Sequence, residues 1–174
     1  ADMISVSGHK IHAPKGIGAL YVRDGLRLKP FIAGGAQENG RRAGTEAMPQ
    51  IAAFAAACAE ASKNMDAGIS RMAAQKVEII DRLSAGIPGL KYVRTAAPHI
   101  LSISLPGWRS EVLMNYLEAR EVYVSKSSAC KKGGRSHVLE AIGMKSAVID
   151  GAIRIGLSRF TTDDDIDALC AGLI

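Results

Sequence analysis

Short apolar runs alternate with longer amphipathic segments along the chain, and this pattern predicts a mixed α and β protein. Near the start, Met3–Val6 and Ala19–Val22 have the composition of short buried strands. The alanine-rich segment Ala47–Ala85 carries apolar residues at helical spacing, and Asn64–Gly68 is expected to kink or split this helix. Gly86, with a proline two residues later, is expected to end it.

After this helix the predicted elements become shorter, and strands interleave with helices in an α+β or two-layer pattern. In order they are strands Lys91–Val93 and Ile100–Leu105, helix Ser110–Ala119, strand Val122–Ser125, helix Ser136–Ile142, strand Ile153–Leu157 and a helix from Thr162 onward. Thr162 supplies an N-cap hydroxyl, and the acidic run that follows it suits the positive end of a helix. We therefore interpret this acidic run as a helix start rather than a metal site.

Composition narrows the class of protein. The chain is 48% apolar and 22% charged, as is usual for a globular protein. No apolar stretch approaches the roughly 20 residues needed to cross a bilayer, so we expect a cytoplasmic protein without membrane contact. The net charge of +5 is scattered, without the aromatic and basic interleaving typical of nucleic-acid binding. The chain starts in a predicted strand and stops in a helical pattern, as an excerpt of a longer protein would.

A polar, glycine-rich loop, Ser7–Gly18, separates the first two predicted strands. Loops at strand ends often carry chemistry, because a rigid scaffold presents free side chains there. Ser7, His9 and the backbone at Gly8 would suit a phosphate. An amine beside a bound phosphate, here that of Lys10, suggests pyridoxal phosphate chemistry. The alternative is a solvated loop lysine, and the loop alone leaves both interpretations open.

Cys130 lies in a small, basic loop directly after a predicted strand. Neighbouring positive charges favour a thiolate, so this cysteine is a candidate nucleophile, with an incidental surface thiol as the alternative. The three cysteines are widely and irregularly spaced, which argues against a disulfide framework or a zinc site. Cys58 and Cys170 lie on helical segments and are predicted to fill the core. The basic neighbours of Cys130 are Lys126, Lys131, Lys132 and Arg135.

Two further residues are candidates for anion binding. Arg154 interrupts an apolar strand and has small neighbours on its own strand face, an arrangement that suits bidentate capture of a carboxylate. A structural ion pair on the sheet is the alternative for this arginine. Thr45 closes a glycine-rich segment and is expected to cap the long helix, to bind an anion, or to do both. No role is assigned to His12, His99 or His137.

Four separated motifs occur in an order and spacing that closely resemble the cysteine desulfurases. These are pyridoxal phosphate enzymes of the class V aminotransferase fold. The resemblance runs over essentially the whole chain, and four motifs together are far more specific than any one. The motifs are Ser7–Lys10 with Pro14–Val22, Gly34–Glu46, Ser127–Cys130 and Ile153–Thr162.

The resemblance implies the C-terminal part of an α/β fold, the fold-type I arrangement of pyridoxal phosphate enzymes. Residues 1–40 would be the end of the cofactor-binding large domain, with its strands separated from their neighbours. Residues 41–174 would be a small α+β domain that carries the catalytic cysteine loop. We place the domain boundary within Arg23–Thr45, because glycines and a proline interrupt the apolar pattern there.

The resemblance also implies a role for each cofactor-loop residue. Lys10 would be the Schiff-base lysine of pyridoxal phosphate. Ser7, Gly8 and His9 would contact the cofactor, with Ser7 and His9 at its phosphate. Thr45 would reach the cofactor phosphate of the neighbouring subunit, so the resemblance implies a homodimer.

The remaining implied roles concern the substrate and its sulfur. Arg154 would hold the carboxylate of L-cysteine. Cys130 would attack the substrate sulfur and leave as a persulfide, with release of L-alanine. The Ser127–Cys130 motif is similar to the long-loop subgroup, which passes sulfur to acceptor or scaffold proteins of iron–sulfur cluster assembly.

Other functions remain open at this level. The chain could be a non-catalytic dimerisation or scaffold-binding module. Within the enzyme class, a selenocysteine lyase or another class V lyase is the near alternative. The family's residues against the pyridine ring lie in its first half, which these 174 residues do not contain. We therefore expect the chain by itself to be inactive.

Overall fold

The computed structural model describes residues 1–93, 95–126 and 135–174. The described strands are β1 (Met3–Ser7), β2 (Gly18–Val22), β3 (Lys91–Val93), β4 (Ile100–Ser104) and β5 (Ala152–Gly156). The described α-helices are α1 (Met48–Lys63), α2 (Met65–Gly86), α3 (Ser110–Glu118), α4 (His137–Ala141), α5 (Ser146–Asp150) and α6 (Asp163–Leu173). No helix within these ranges is long and apolar enough to cross a membrane.

The chain divides into two compact units, Ala1–Met65 and Asp66–Ile174. The sequence predicts the domain boundary earlier in the chain, within Arg23–Thr45. That earlier segment contains no α-helix or β-strand, although a short 3₁₀ turn occupies Gln37–Gly40. The assignment of residues 1–40 and 41–174 to two domains of a larger enzyme stays a prediction.

In the first unit, β1 and β2 form an antiparallel ribbon with Ser5 opposite Leu20. The two predicted strands are therefore confirmed, but the prediction that they are buried is wrong. Every residue of β1 is exposed, and Leu20 in β2 keeps 55% of its surface. Within the described part of the chain the two strands pair only with each other, so neither outer edge of the ribbon has a strand partner there.

Helix α1 begins later than its expected cap. Its N-cap is Ala47, which makes no side-chain cap, and Pro49 occupies the first turn. The prediction that Thr45 caps this helix is therefore wrong, because Thr45 lies two residues before the N-cap. Within its own unit α1 contains no buried residue, so Cys58 is exposed and its prediction as a core residue is also wrong.

The long alanine-rich helix is split, as its sequence predicts. Asn64 has non-helical backbone angles between the end of α1 and the start of α2. Helix α2 then continues to Gly86, where the sequence predicts the stop. At the other end of the chain, Thr162 and Asp165 form the reciprocal hydrogen bonds of a capping box, which confirms the predicted start of α6.

The second unit is built on an antiparallel sheet in the order β3, β4, β5. On one face, Ile153, Ile155 and Leu157 pack into the main core, as their spacing predicts. Strand β4 adds Leu101 and Ile103, and Leu105 follows it. Helices α2, α3 and α6 contribute further residues of this core, which are Ile79, Leu83, Leu113, Leu117, Ile166, Leu169 and Cys170. The opposite face carries a smaller cluster of Leu139, Ile149 and Ala152, contributed by α4, α5 and β5.

The predicted strand Val122–Ser125 is wrong as a strand, because only Ser125 forms a bridge, to Arg154. The chain is still turning at the end of α3. Glu121 has a left-handed backbone with φ of 60°, and the Val122 amide donates back to the Leu117 carbonyl at 3.0 Å. Extended pairing with β5 therefore begins only at Ser125.

Candidate active site

Lys10 lies on a short 3₁₀ turn, Gly8–Ile11, that directly follows β1. Its side chain is exposed and forms no salt bridge with any residue that the structure describes. Ser7 ends β1, and its hydroxyl does not cap the turn, while His9 is also exposed. A hydroxyl, an imidazole and an amine therefore emerge within four consecutive residues.

Gly8 is buried and sets the position of this turn. Its amide donates to the Ile17 carbonyl at 2.9 Å, and its own carbonyl accepts from the Ala13 amide at 3.1 Å. A Cβ on Gly8 would lie 2.9 Å from the Ile17 oxygen and 3.1 Å from Cδ2 of Phe54. Only glycine fits here without displacing the backbone of Ile17 or the ring of Phe54.

This donor set fits the group that the resemblance implies. The Ser7 hydroxyl and the His9 ring can donate to a phosphate, and the Lys10 amine can react with the cofactor carbonyl. The missing side chain at Gly8 allows the turn to pack closely while these three side chains remain outside. Their roles as cofactor residues stay predictions.

Thr45 is exposed in the segment before α1, and its hydroxyl has no hydrogen bond with a described residue. The segment before Thr45 is stabilised by a different hydrogen bond, in which the Gly44 amide donates to Oε1 of Gln37 at 3.3 Å. The hydroxyl is therefore not used in capping and is accessible to an anion. Its predicted role at the phosphate of a neighbouring subunit stays a prediction.

Arg154 lies in the middle of β5 and is half-buried. Its amide donates to the Ser125 carbonyl at 2.5 Å, and its carbonyl accepts from the Ser125 amide at 3.0 Å. The guanidinium has no hydrogen bond or ion pair within residues 1–93, 95–126 and 135–174. The alternative of a structural ion pair on the sheet therefore has no described partner.

Two serines flank Arg154 across the strands. Ser102 of β4 is its partner on one side, and Ser125 is its partner on the other. Directly opposite residues of an antiparallel pair project to the same face, so the arginine stands between two small polar residues. The sequence shows only the small neighbours along β5. These cross-strand neighbours depend on pairing register, which no local signal reveals.

Cys130 lies outside the described residues, as do Lys131 and Lys132. The residues at the two ends of this segment are described, and both are paired with carboxylates. Lys126 forms a short ion pair with Glu111, and the contact lowers the pKa of the Glu111 carboxyl. Both cations are thus paired with carboxylates, and their predicted effect on the Cys130 thiol stays a prediction.

Arg135 forms the more directional of the two pairs. Its Nε and Nη2 atoms donate to the two carboxylate oxygens of Asp150, each at 2.8 Å. Its remaining Nη1 donates to the Ser146 hydroxyl at 3.2 Å. The carboxylate raises the pKa of the Arg135 guanidinium, which stays charged. A bidentate pair fixes direction as well as distance.

The described cysteines have opposite environments. Cys170 is fully buried in the main core, as predicted, and burial raises the pKa of its thiol. Cys58 is exposed on α1. Raised thiol pKa values disfavour the reactive thiolate, so Cys170 is unsuited to nucleophilic chemistry.

Comparison with known proteins identifies the type of fold. The family model described as "Aminotransferase class-V" matches residues 1–169. A solved structure titled "NIFS-LIKE PROTEIN" has 32% sequence identity and a TM-score of 0.87, and the match covers 99% of this chain and 45% of that one. This similarity confirms the predicted α/β class and the predicted family of pyridoxal phosphate enzymes.

Two other matches carry chemical information. A protein of Trichormus azollae described as "Cysteine desulfurase" is 39% identical over 171 residues, which cover 95% of this chain and 43% of that protein. A solved structure titled "SspA in complex with cysteine" has 29% identity and a TM-score of 0.62, covering 92% of this chain and 45% of that one. The chain therefore spans less than half the length of the relatives it matches.

Proposed function

Because the chain belongs to the class V aminotransferase family, we propose that it is part of a cysteine desulfurase that converts L-cysteine to L-alanine and an enzyme persulfide. The observation that carries the proposal is the 39% identity, over nearly the whole chain, to a relative described as a cysteine desulfurase. The activity is proposed for the full-length protein that carries this chain. This is because the relatives are more than twice as long as the matched region.

The proposed cofactor residues are Lys10, Ser7, Gly8, His9 and Thr45. Pyridoxal phosphate, when bound, supplies an electron sink for the bonds around the amino-acid α-carbon. The exposed Lys10 amine attaches the cofactor and afterwards moves protons to and from the substrate carbons. Ser7 and His9 donate to the phosphate, and Thr45 donates to the phosphate of the second subunit of a homodimer.

Arg154 is the proposed substrate-carboxylate residue. A free guanidinium that is half-buried among small residues can donate two parallel hydrogen bonds to one carboxylate. Ser102 and Ser125 on either side leave room for such a ligand and bring no competing negative charge. Arg154 thereby orients L-cysteine so that its sulfur is presented in one direction.

The proposed sulfur step uses Cys130. Its thiolate attacks the substrate sulfur, so an S–S bond forms while the bond between that sulfur and the substrate Cβ breaks. The electron pair of the broken bond stays on Cβ, which takes up a proton and leaves in L-alanine. The sulfur atom is thereby transferred to Cys130, which becomes a persulfide.

The persulfide then passes to a second protein. We propose a sulfur acceptor or iron–sulfur scaffold protein as this partner, because Ser127–Cys130 is similar to the long-loop subgroup. The setting is the cytoplasm, where thiols are kept reduced and a persulfide can be handed on.

The test uses the full-length protein with pyridoxal phosphate and L-cysteine. We expect L-alanine, and a mass increase of one sulfur atom on the peptide that contains Cys130. Lys10→Ala should abolish covalent attachment of the cofactor after borohydride reduction, whereas Cys130→Ala should keep the attachment and lose the persulfide. Attachment that survives in Lys10→Ala would overturn the assignment.

The same assay separates the alternatives. Turnover of L-selenocysteine without turnover of L-cysteine would identify a selenocysteine lyase. A full-length protein that neither attaches the cofactor nor releases alanine would be a non-catalytic module. The isolated chain is expected to release no alanine.

A further inference from the structure

The glycine-rich segment 34–44, which directly precedes Thr45, folds back on itself. Within it, the side chains of Gln37 and Arg42 form hydrogen bonds with the backbone next to Thr45. We propose that Gln37 and Arg42 are positioning residues that present the Thr45 hydroxyl to the cofactor phosphate of the second subunit. The inference rests on the proposed function, since it deepens the role that Thr45 has there.

A left-handed turn reverses the direction of this segment. Glu38, Asn39 and Gly40 have consecutive positive φ angles of 51°, 55° and 72°. The Gly40 amide donates to the Ala36 carbonyl across the turn at 3.0 Å. Residues with a side chain are strained in this conformation, and such strain persists where surrounding contacts hold it and is concentrated at functional sites. The strain at Glu38 and Asn39 therefore supports a functional role for the segment.

After the turn the chain returns to the residues that precede it. The Ala43 amide donates to the Ile32 carbonyl at 3.2 Å. The Gly44 amide donates to Oε1 of Gln37 at 3.3 Å. The side chain of Gln37 fits in this position because Gly35 has none, and a Cβ on Gly35 would collide with the Gln37 amide group. Gln37 thereby ties the end of the segment to its beginning.

Arg42 makes the second contact with the returning chain. Its Nη1 atom donates to the Ala43 carbonyl at 3.1 Å. Its guanidinium lies against Gly44, where a Cβ would be 2.7 Å from Nη1. Gly44 also has a φ of 115°, so both its backbone conformation and this close approach favour glycine. The guanidinium forms no ion pair with a described residue, so the contact with the backbone places it.

The two contacts hold one peptide group at its opposite ends. The carbonyl of Ala43 and the amide of Gly44 belong to the same peptide group, which is planar, so the hydrogen bonds from Arg42 and to Gln37 fix the orientation of its plane. Only the φ and ψ angles of Gly44 separate this plane from the Cα of Thr45. Because the Thr45 hydroxyl has no hydrogen bond with a described residue, the backbone sets its direction.

These contacts lie at the surface of the first unit. Arg42 and Gly44 are exposed, and Gln37 is half-buried. Removal of either side chain therefore leaves a peptide group that water can reach, rather than a buried group without a partner. Variants at these positions are expected to fold normally, which allows positioning to be tested separately from stability.

The test measures the dissociation constants of pyridoxal phosphate and of pyridoxal, which lacks the phosphate, for the full-length protein after its cofactor is removed. Gln37→Leu and Arg42→Ala should each raise the dissociation constant of pyridoxal phosphate about tenfold. The dissociation constant of pyridoxal should not change, because the proposed effect acts on the phosphate alone.

Gln50→Leu and Arg41→Ala are the matched controls. Both residues are exposed in the same part of the chain, and neither side chain has a hydrogen bond with a described residue. Each control should bind both compounds like the unsubstituted protein. Arg41→Ala removes the same charge as Arg42→Ala, so equal losses in these two variants would indicate an effect of net charge and would overturn the inference.

A double-mutant cycle with Thr45→Ala tests whether the two side chains act through this hydroxyl. Thr45→Ala should raise the dissociation constant of pyridoxal phosphate. Addition of Gln37→Leu or Arg42→Ala should raise it no further, because no hydroxyl remains to be positioned. Additive losses would overturn the inference, since the two side chains would then act independently of Thr45.

The outcomes separate the inference from the proposed function. If Thr45→Ala leaves the affinity for pyridoxal phosphate unchanged, the proposed role of Thr45 fails and the inference falls with it. If Thr45→Ala weakens binding while Gln37→Leu and Arg42→Ala do not, the inference alone is overturned. Equal losses for pyridoxal and pyridoxal phosphate, or a lower thermal stability of the two variants, would also overturn it, because the side chains would then be structural.

Discussion

Ser125 and Arg154 form a reciprocal backbone pair in which each residue donates one hydrogen bond to the other, at 3.0 Å and 2.5 Å. Among the described residues before 127, this bridge is the last backbone pairing of the chain with β5. It joins the proposed substrate arginine directly to the start of the segment that carries Cys130. The position of either residue therefore depends on the other.

Ser125→Pro should expose the importance of this bridge. Proline removes the amide donor and leaves the Arg154 carbonyl without its partner, so we expect a loss of about 1–3 kcal/mol in the free energy of unfolding. Urea denaturation of the full-length protein measures this. Ser125→Ala is the control, since it keeps the backbone pair and loses only the weak hydroxyl contact. Equal stability of the two variants would show that the bridge contributes little.

Arg154→Lys should weaken substrate binding while it preserves the positive charge. A lysine cannot form two parallel hydrogen bonds with a carboxylate, so the KM for L-cysteine should rise about tenfold or more. Steady-state kinetics with cofactor content measured in parallel checks this prediction. Arg82→Lys is the matched control, because Arg82 pairs with Glu78 and Asp167 at the surface. An unchanged KM in Arg154→Lys would require another residue to hold the carboxylate.

Gly8→Ala should destabilise the turn that carries Lys10. The added Cβ would lie too close to the Ile17 carbonyl and the Phe54 ring, which predicts a cost of about 1–3 kcal/mol and weaker cofactor attachment. Gly68→Ala is the control, because Gly68 is in helix α2 with no atom near a new Cβ. This control should gain roughly 0.5–1 kcal/mol. Thermal unfolding with and without cofactor distinguishes the two variants, and a neutral Gly8→Ala would contradict the close approach.

The capping box of α6 predicts a pH-dependent contribution to stability. The Thr162 amide donates to the Asp165 carboxylate, and this hydrogen bond lowers the pKa of Asp165 below its ordinary value of 3.8. The stabilisation is complete at neutral pH and is lost as the pH falls through the lowered pKa, because the protonated carboxyl is the weaker acceptor. Asp165→Asn should flatten the acid limb of the stability profile. Asp164→Asn, which removes a carboxylate without a described hydrogen bond, should leave that limb unchanged.

Thr162→Ala removes the other half of the same box. The Asp165 amide then loses its acceptor, and we expect a loss of about 1 kcal/mol in the free energy of unfolding at neutral pH. Urea denaturation checks this value, and a change below a few tenths would show that water replaces the cap.

Local chemistry predicts the elements that depend on neighbours along the chain. Thr162 and Asp165 are three residues apart, so their capping box can be read directly from the sequence. Asn64 interrupts a helix because its side chain competes for backbone hydrogen bonds, and Gly86 ends a helix because it has no side chain. The alternation of Ile153 with Ile155 likewise places both on the core face of β5.

Partners that are distant in sequence were not predictable in this way. The ion pairs of Lys126 and Arg135 could not be predicted, because the carboxylate partner of each lies 15 residues away along the chain. The burial of β1 was predicted from its apolar composition, but burial depends on what packs against a strand, and β2 is its only strand partner among the described residues. The pairing register of the strands places the two serines beside Arg154. The pattern of apolar residues along a single strand does not reveal that register.

Because Cys170 is buried, its thiol is a chemical probe for local unfolding of the second unit. The thiol has no solvent access in the folded core, so an alkylating reagent can modify it only after Ile79, Leu83 and their neighbours separate. Cys58, which is exposed, reacts without such an event and serves as an internal reference in the same molecule. The ratio of the two modification rates therefore reports the local unfolding free energy of this core without any introduced label.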